Sequence, residues 1–309
     1  MKPAKPICVV GSIVYDFVMN LPRFPDIGET VLGDRFATFI GGKGLNQAMQ
    51  IHRLGAPLSF WGRVGDDKLG MEVIEVLESQ GFSTDGIRII PGDQTATGMI
   101  YVVPGGRNMI GGIPTANMNF RVDEIDDNVG VAIRDASIVS LQLEIPDDVN
   151  EHVLRLARKA GVPTVLNAAP YHRLPDSFQE LVDFWVVNEI EAGQFFNCRI
   201  MQAKDCEPMC CYPSITNGRQ VWVVTLGERG AAVVDSLGVR DIPGIEVEAV
   251  DSTGAGDSFT GGFVVGLSEG MNPFEAAGFA NKVAALSVTK LGGMSGLPTK
   301  AELVATFGS

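Results

Sequence analysis

Histidine and cysteine are scarce, with three and five copies in 309 residues. His52, His152 and His172 do not cluster, so all three read as structural or exposed. An odd cysteine count argues against a closed disulfide framework and for reduced thiols. Four of the five, Cys198, Cys206, Cys210 and Cys211, fall in one segment, but they form no CxxC pairs and have no nearby His, which favours free thiols in a variable loop over zinc. No apolar run approaches the roughly 20 residues of a membrane-spanning helix. The apolar segment 7–10 is broken by Gly11 and Ser12 and soon meets Asp16, too short for a signal peptide, so a cytoplasmic protein without a membrane partner is expected. Positive charge is also short: 24 Lys and Arg face 37 Asp and Glu, a net charge of -13 that opposes nucleic acid as a partner. A phosphorylated ligand would be repelled at long range too, so local amides, a few cations and Mg²⁺ would have to hold it.

What the chain does have is ordinary globular composition, 45% apolar and 20% charged, with strand-like and helix-like segments in alternation, the pattern of an α/β protein. The most informative stretch runs from Val250 to Gly262. Gly254, Ala255 and Gly256 directly precede an apolar run (Phe259, Phe263, Val264, Leu267) with helical spacing. A small-residue loop feeding a helix N-terminus offers free amides and the positive end of the dipole, a place that binds phosphate. Asp257 adds a carboxylate there, so one segment holds an anion cradle and a candidate base. Read alone, Asp257 is equally a helix cap.

Other segments follow the same logic. Residues 7–13 read as a buried parallel strand with Asp16 just past its end, where the crevice of an open sheet lies. Glycines open a helix at Gly41-Gly42-Lys43-Gly44-Leu45-Asn46, and it stops at Gly55; the spacing is not that of a P-loop. Segments within 23–40, together with 87–90 and 98–103 and the turn 104–106, look like exposed strands of a small flap. Strand 137–142 delivers Glu144, helix 147–160 and strand 163–167 follow, and strand 184–187 leads into Asn188 and Glu191, spaced to share one helix face. Strand 221–225 ends in Leu226-Gly227-Glu228-Arg229-Gly230, a turn that also suits a hairpin. Asn272-Pro273-Phe274-Glu275 reads as a capped helix start.

Asp-Ser-Thr-Gly-Ala-Gly-Asp-Ser-Phe (251–259) resembles the C-terminal signature of the ribokinase-like (PfkB-type) carbohydrate kinases, and Gly-Gly-Lys-Gly-x-Asn (41–46) resembles their N-terminal one. The motifs run from 11 to 296 in family order. The resemblance implies a doubly wound, mostly parallel sheet flanked by helices, in one domain spanning 1–309, with a small β lid from about 14–40 and 95–115. It implies ATP-dependent phosphorylation of a sugar hydroxyl, with D-ribose leading. Asp257 would be the base, with the amides of Gly254, Ala255, Gly256 and Asp257 as anion hole. Asp16, Gly42, Lys43, Asn46 and Glu144 would hold the sugar. Asn188, Thr225, Gly227, Gly230, Gly256 and Asn281 would face ATP, with Asn188 and Glu191 orienting hydrated Mg²⁺. Asp251, Thr253, Ser287, Lys290, Gly292 and Gly296 correspond to positions that hold a monovalent cation, K⁺, largely through backbone oxygens. The lid would exclude water and pair two copies into a homodimer.

Val14 stands where this family usually carries Asn, which keeps a nucleoside, fructose or 2-keto-3-deoxygluconate open as the acceptor. A dinucleotide-dependent oxidoreductase needs G-x-G-x-x-G, and Phe259 occupies the place of the third glycine. A catalytically silent sugar-binding protein is the remaining alternative, and the presence of Asp257 argues against it.

Overall fold

Residues 4–105, 107–125 and 128–308 are described by a computed structural model. Residues 1–3, 106, 126, 127 and 309 lie outside it, including Gly106 of the expected lid turn and both ends of the expected 1–309 domain. The strands in chain order are β1 (Ile7–Val10), β2 (Val14–Asn20), β3 (Arg35–Gly41), β4 (Leu58–Gly65), β5 (Ile87–Ile90), β6 (Thr97–Val102), β7 (Asn108–Ile113), β8 (Ile138–Gln142), β9 (Thr164–Asn167), β10 (Phe184–Asn188), β11 (Val221–Thr225), β12 (Gly230–Asp235) and β13 (Gly238–Pro243). Nine of them form one sheet in the order β13-β12-β11-β10-β9-β8-β1-β4-β5, parallel from β11 to β5 and antiparallel at β12 and β13. The other four form a small sheet, β3-β2-β6-β7.

Alternation within the central strands builds two cores. Ile7 and Val9 pack into one apolar cluster with the helices Lys43–Arg53, Ala255–Ser268 and Pro273–Ser287, while Cys8 and Val10 pack into the other with the helix Asp147–Ala160. A parallel sheet must be covered on both faces, and β1, β8 and β9 are buried throughout. The helix Ala255–Ser268 is buried without a break from Asp257 to Gly266, and its glycines let it be so. A Cβ on Gly261 would stand 2.7 Å from Gln50 Cβ, and one on Gly262 would stand 3.1 Å from Ala280 Cα, so the three helices pack closer than larger residues permit.

Strand order changes direction at β1. The chain goes from β1 out to β4 and β5, then returns to β8 on the opposite side and continues outward to β11. The crevice above the C-terminal ends of β1 and β8 is therefore the switch point where open α/β sheets bind ligands.

Three expectations need correction. Asp16 does not follow a strand 7–13; β1 stops at Val10, and Asp16 belongs to lid strand β2, paired with Phe39 and Gly98. Ile87–Ile90 is no flap strand, because it pairs parallel with β4 and forms the edge of the main sheet. In 23–40 only the segment from Arg35 onward is strand. The turn at 226–230 is indeed a hairpin, and the antiparallel strands β12 and β13 that follow it extend the main sheet. Among the described residues, no helix is long and apolar enough to cross a membrane.

Candidate active site

Two glycines in backbone conformations that L side chains rarely adopt set the floor of the crevice. Gly42 (φ 93°) caps the helix Lys43–Arg53, and Gly254 (φ 78°) caps the helix Ala255–Ser268, so two helix N-termini open at the switch point. Asp257, in the first turn of the second helix, is only 6% exposed. Asn46 Nδ2 donates to its Oδ2 at 2.9 Å, and Gln47 Nε2 donates to its Oδ1 at 3.2 Å. Burial pushes this carboxyl above its ordinary range, while the Lys43 ammonium and the two amides pull it back toward the charged form.

Lys43 faces three carboxylates. Loss of water favours its neutral amine, but Asp257, Glu144 and Glu191 outweigh that and hold the ammonium above its usual value. Glu144 follows β8 at the crevice, and its Oε2 accepts from Ser12 Oγ at 2.5 Å and from the Lys43 amide at 2.9 Å. Asp16 approaches from the lid. Its carboxylate fits because Gly41 and Gly98 flank it; a Cβ on Gly98 would lie 2.1 Å from Oδ1. Burial, with Glu144 nearby, raises Asp16 to about 6.

Two clefts and a small cavity meet at residues 252–257. One cleft of about 510 Å³ lies between the lid and the main body, lined by Asp16, Val18, Asn20, Arg35, Asn46 and the segment 249–253, among others. Strand register makes this lid face a set of rows: Asp16 with Phe39 and Gly98, then Val18 with Ala37 and Ile100, then Asn20 with Arg35 and Val102. The other cleft, about 520 Å³, is lined by Thr225, Gly227, Gly230, Gly256, Asn281 and small apolar residues. Between them a cavity of about 130 Å³ holds Lys43, Asn188, Glu191 and 254–257. Ser252 lines all three. A hydroxyl in the first cleft and a phosphate chain in the second would thus meet at the Asp257 helix, where an in-line transfer needs both.

Most of the expected site residues come together here, with adjustments. The Ala255 amide donates to the Ser252 carbonyl at 3.2 Å, so the turn consumes it, and the anion cradle narrows to the amides of the following residues. Thr225, Gly227 and Gly230 sit on the β11–β12 hairpin, so the turn is both hairpin and cleft wall. Asn281 Nδ2 is held by the Pro243 carbonyl at 2.9 Å, which turns its Oδ1 away from that bond and leaves an acceptor for the cleft.

Asn188 and Glu191 form a capping box. Asn188 Oδ1 accepts from the amides of Ile190 and Glu191 at 2.9 and 2.8 Å, and Glu191 Oε2 accepts from the Asn188 amide at 2.8 Å. These bonds occupy one oxygen of each residue, and among the described residues no group of three His, Cys, Asp or Glu is arranged to chelate a metal. The donor set fits a hydrated Mg²⁺ held through water by the second Glu191 oxygen rather than a chelated ion. Near 251–296, Asp251 binds the amides of Thr253 and Gly292, both at 2.9 Å, which ties the two loops together. A Cβ on Gly296 would lie 3.1 Å from the Ser287 carbonyl oxygen and 3.6 Å from that of Lys290, so glycine leaves room where carbonyls converge. Those two carbonyl oxygens fit K⁺. The Lys290 ammonium itself pairs with Glu302.

Sequence reasoning missed Ser12, which fixes Glu144, and Gln47, which fixes Asp257. Both are fully buried. Neither is charged, so neither left a signal beyond its adjacency to a motif residue.

The chain and its fold are similar to known proteins. A family model described as pfkB family carbohydrate kinase matches residues 4–300. A ribokinase of Bacillus subtilis (strain 168) is 34% identical over 304 residues, covering 96% of this chain and 97% of its own. Among solved structures, ribokinase from Thermotoga maritima superposes with a TM-score of 0.85 at 31% identity over 97% of this chain and 98% of its own. An Arabidopsis thaliana ribokinase complexed with ribose and ATP gives 0.87 at 29% identity, covering 98% of each chain.

Proposed function

The chain belongs to the pfkB family of carbohydrate kinases, and from that premise we propose that it transfers the γ-phosphoryl group of ATP to a hydroxyl of D-ribose, yielding ribose 5-phosphate. The observation that carries this reading is the position of Asp257, anchored by two amides where the lid cleft and the glycine-lined cleft meet. Asp16, Asn46, Glu144 and the backbone at Gly42 bind the sugar, and Lys43 neutralises the carboxylates around it. Asp257 accepts the proton as the hydroxyl oxygen bonds to the γ-phosphorus and the bond to the ADP oxygen breaks. Amides at Gly256 and Asp257 face the charge on the transferring group. The glycine-lined cleft takes ATP, with Thr225, Gly227 and Gly230 along its wall and Asn281 toward the base. Glu191, kept in place by its capping box with Asn188, would hold a hydrated Mg²⁺ that would neutralise phosphate charge when bound, and the carbonyls of Ser287 and Lys290 would hold K⁺.

Ribose is supported by the names of the relatives and by the ribose and ATP held by the Arabidopsis protein. The lid closes over the sugar and excludes water, a competing acceptor. Its outer face carries Phe36, Met99 and Met109, at 58, 40 and 53% exposure, which suits pairing with a second copy. An ADP-release assay across ribose, fructose, adenosine and 2-keto-3-deoxygluconate tests the proposal. Ribose should give the highest kcat/KM; preference for another acceptor reassigns the substrate, and no turnover with any of them rejects the kinase reading.

A further inference from the structure

Gln47 is fully buried and lines none of the three cavities, yet every polar atom of its side chain is engaged. Its Nε2 donates to Asp257 Oδ1 at 3.2 Å and to Asn167 Oδ1 at 3.1 Å. Its Oε1 accepts from Gln142 Nε2 at 2.7 Å and from Ser140 Oγ at 3.4 Å. Asn167 Nδ2 in turn donates to the Val186 carbonyl at 3.0 Å.

That carbonyl can only accept, and this sets the direction of the whole chain. Asn167 must give it an N–H, so Asn167 turns an oxygen toward Gln47; Gln47 must then present Nε2 there and Oε1 to Gln142. A flipped Gln47 would place its oxygen against both Asn167 Oδ1 and Asp257 Oδ1. The polarity seen by Asp257 is thus decided by the backbone of β10, at Val186.

A Met or Leu would fill the same space without buried amides, which are costly unless fully paired. The fold accepts such a cost here. Gln142 Oε1 has no partner among the described residues, and Gly11 supplies the room it needs, since a Cβ there would stand 2.0 Å from that oxygen. A network kept at this expense beside one carboxylate points to a role at that carboxylate.

We propose that Gln47 is a positioning residue for the base: backed by Gln142, Asn167 and the Val186 carbonyl, it presents a fixed N–H to Asp257 Oδ1, holding the carboxylate ionised and in plane for proton transfer. This rests on the reading of Asp257 as the base. Asn46 holds the other oxygen, and the charged groups facing Asp257 are Lys43, Glu144 and Glu191, none of which touches Gln47 through a hydrogen bond. Removing the Gln47 donor takes away a bond made to the charged form, so the base should protonate at higher pH.

The test is Gln47→Met against the native enzyme, with kcat and KM for ribose measured across pH and Tm measured alongside. The expected result is a fall in kcat of about 10- to 100-fold, an acid limb moved to higher pH, and an unchanged acceptor KM. Native kcat with a native acid limb overturns the proposal, as does a loss equal at every pH with the limb unmoved. Should Gln47→Met not fold, Gln142→Met carries the same test one bond further out: a smaller upward move of the limb supports the relay, and an unmoved limb overturns it. Native enzyme that turns over no sugar defeats the kinase reading itself; native turnover with an unaltered Gln47→Met profile defeats only the relay.

Discussion

The two clefts have nearly the same volume, about 510 and 520 Å³, and are built by opposite means. The lid cleft is walled by side chains that carry charge or hydrogen bonds, Asp16, Arg35, Asn46 and Asp251 among them. The other is walled largely by small residues, Gly227, Gly230, Gly244, Gly256 and Ala284, with Glu228 and Glu246 beside them. The first selects through groups that can be deleted, and the second admits a large ligand through space that can be filled. Loss of atoms should therefore damage the acceptor side, and gain of atoms the nucleotide side.

Below the loss of the base itself, the largest effect should come from filling space. Gly256→Ala adds a methyl group that meets no protein atom within 4 Å and sits in an ordinary helical position, so the fold should keep its Tm. The methyl enters the route of the phosphate chain, and kcat/KM for ATP should fall by about 100-fold. Unchanged kinetics would show that the anion does not approach this backbone.

Next comes deletion on the other side. Asp16→Asn removes charged hydrogen bonds to the acceptor, and its KM should rise roughly 10- to 100-fold while the ATP KM holds. The pH dependence has a definite sign. Because the folded protein lifts Asp16 from 3.8 to about 6, acceptor KM in the native enzyme should rise as pH falls below that value. The same shift means that the folded chain takes up a proton before the unfolded one does, so this group's contribution to stability declines as pH rises from 3.8 to about 6. Asp16→Asn should flatten both trends, and persistence of either would assign it to another group.

The smallest effect on turnover should lie on the outer lid face. Phe36, Met19, Tyr101 and Met109 share one row across the sheet by register, and none of them lines either cleft. Met109→Lys should convert a dimer to monomer in sedimentation with kcat per chain little altered. A native protein already monomeric would remove the lid as an interface.

The same division explains how much could be read beforehand. Anion loops announce themselves, because only small residues before a helical run serve, so Gly254–Asp257 and Gly42–Asn46 were legible with their helices. So was the cap at Asn272, Pro273 and Glu275, now a complete capping box. The lid was harder. Nothing separates β1 from β2 in composition except Gly11 and Ser12, so 7–13 reads as one strand with Asp16 past its end, whereas Asp16 rides on the second strand. Ile87–Ile90 is four residues long and carries no mark of which sheet it joins; only the helix Lys68–Ser79, packed behind β4, returns the chain parallel to that strand. Gln47, Gln142 and Asn167 were invisible as a group because they are neutral and lie 120 residues apart at the extremes, joined only by the fold.

The central claim is that one carboxylate takes the acceptor's proton where the two clefts meet. Asp257→Asn keeps the shape and can still bond Asn46 or Gln47 through its oxygen, so ribose binding measured by calorimetry should persist. Its kcat should fall by roughly 10²- to 10⁴-fold. Turnover near that of the native enzyme, with binding intact, would contradict the account.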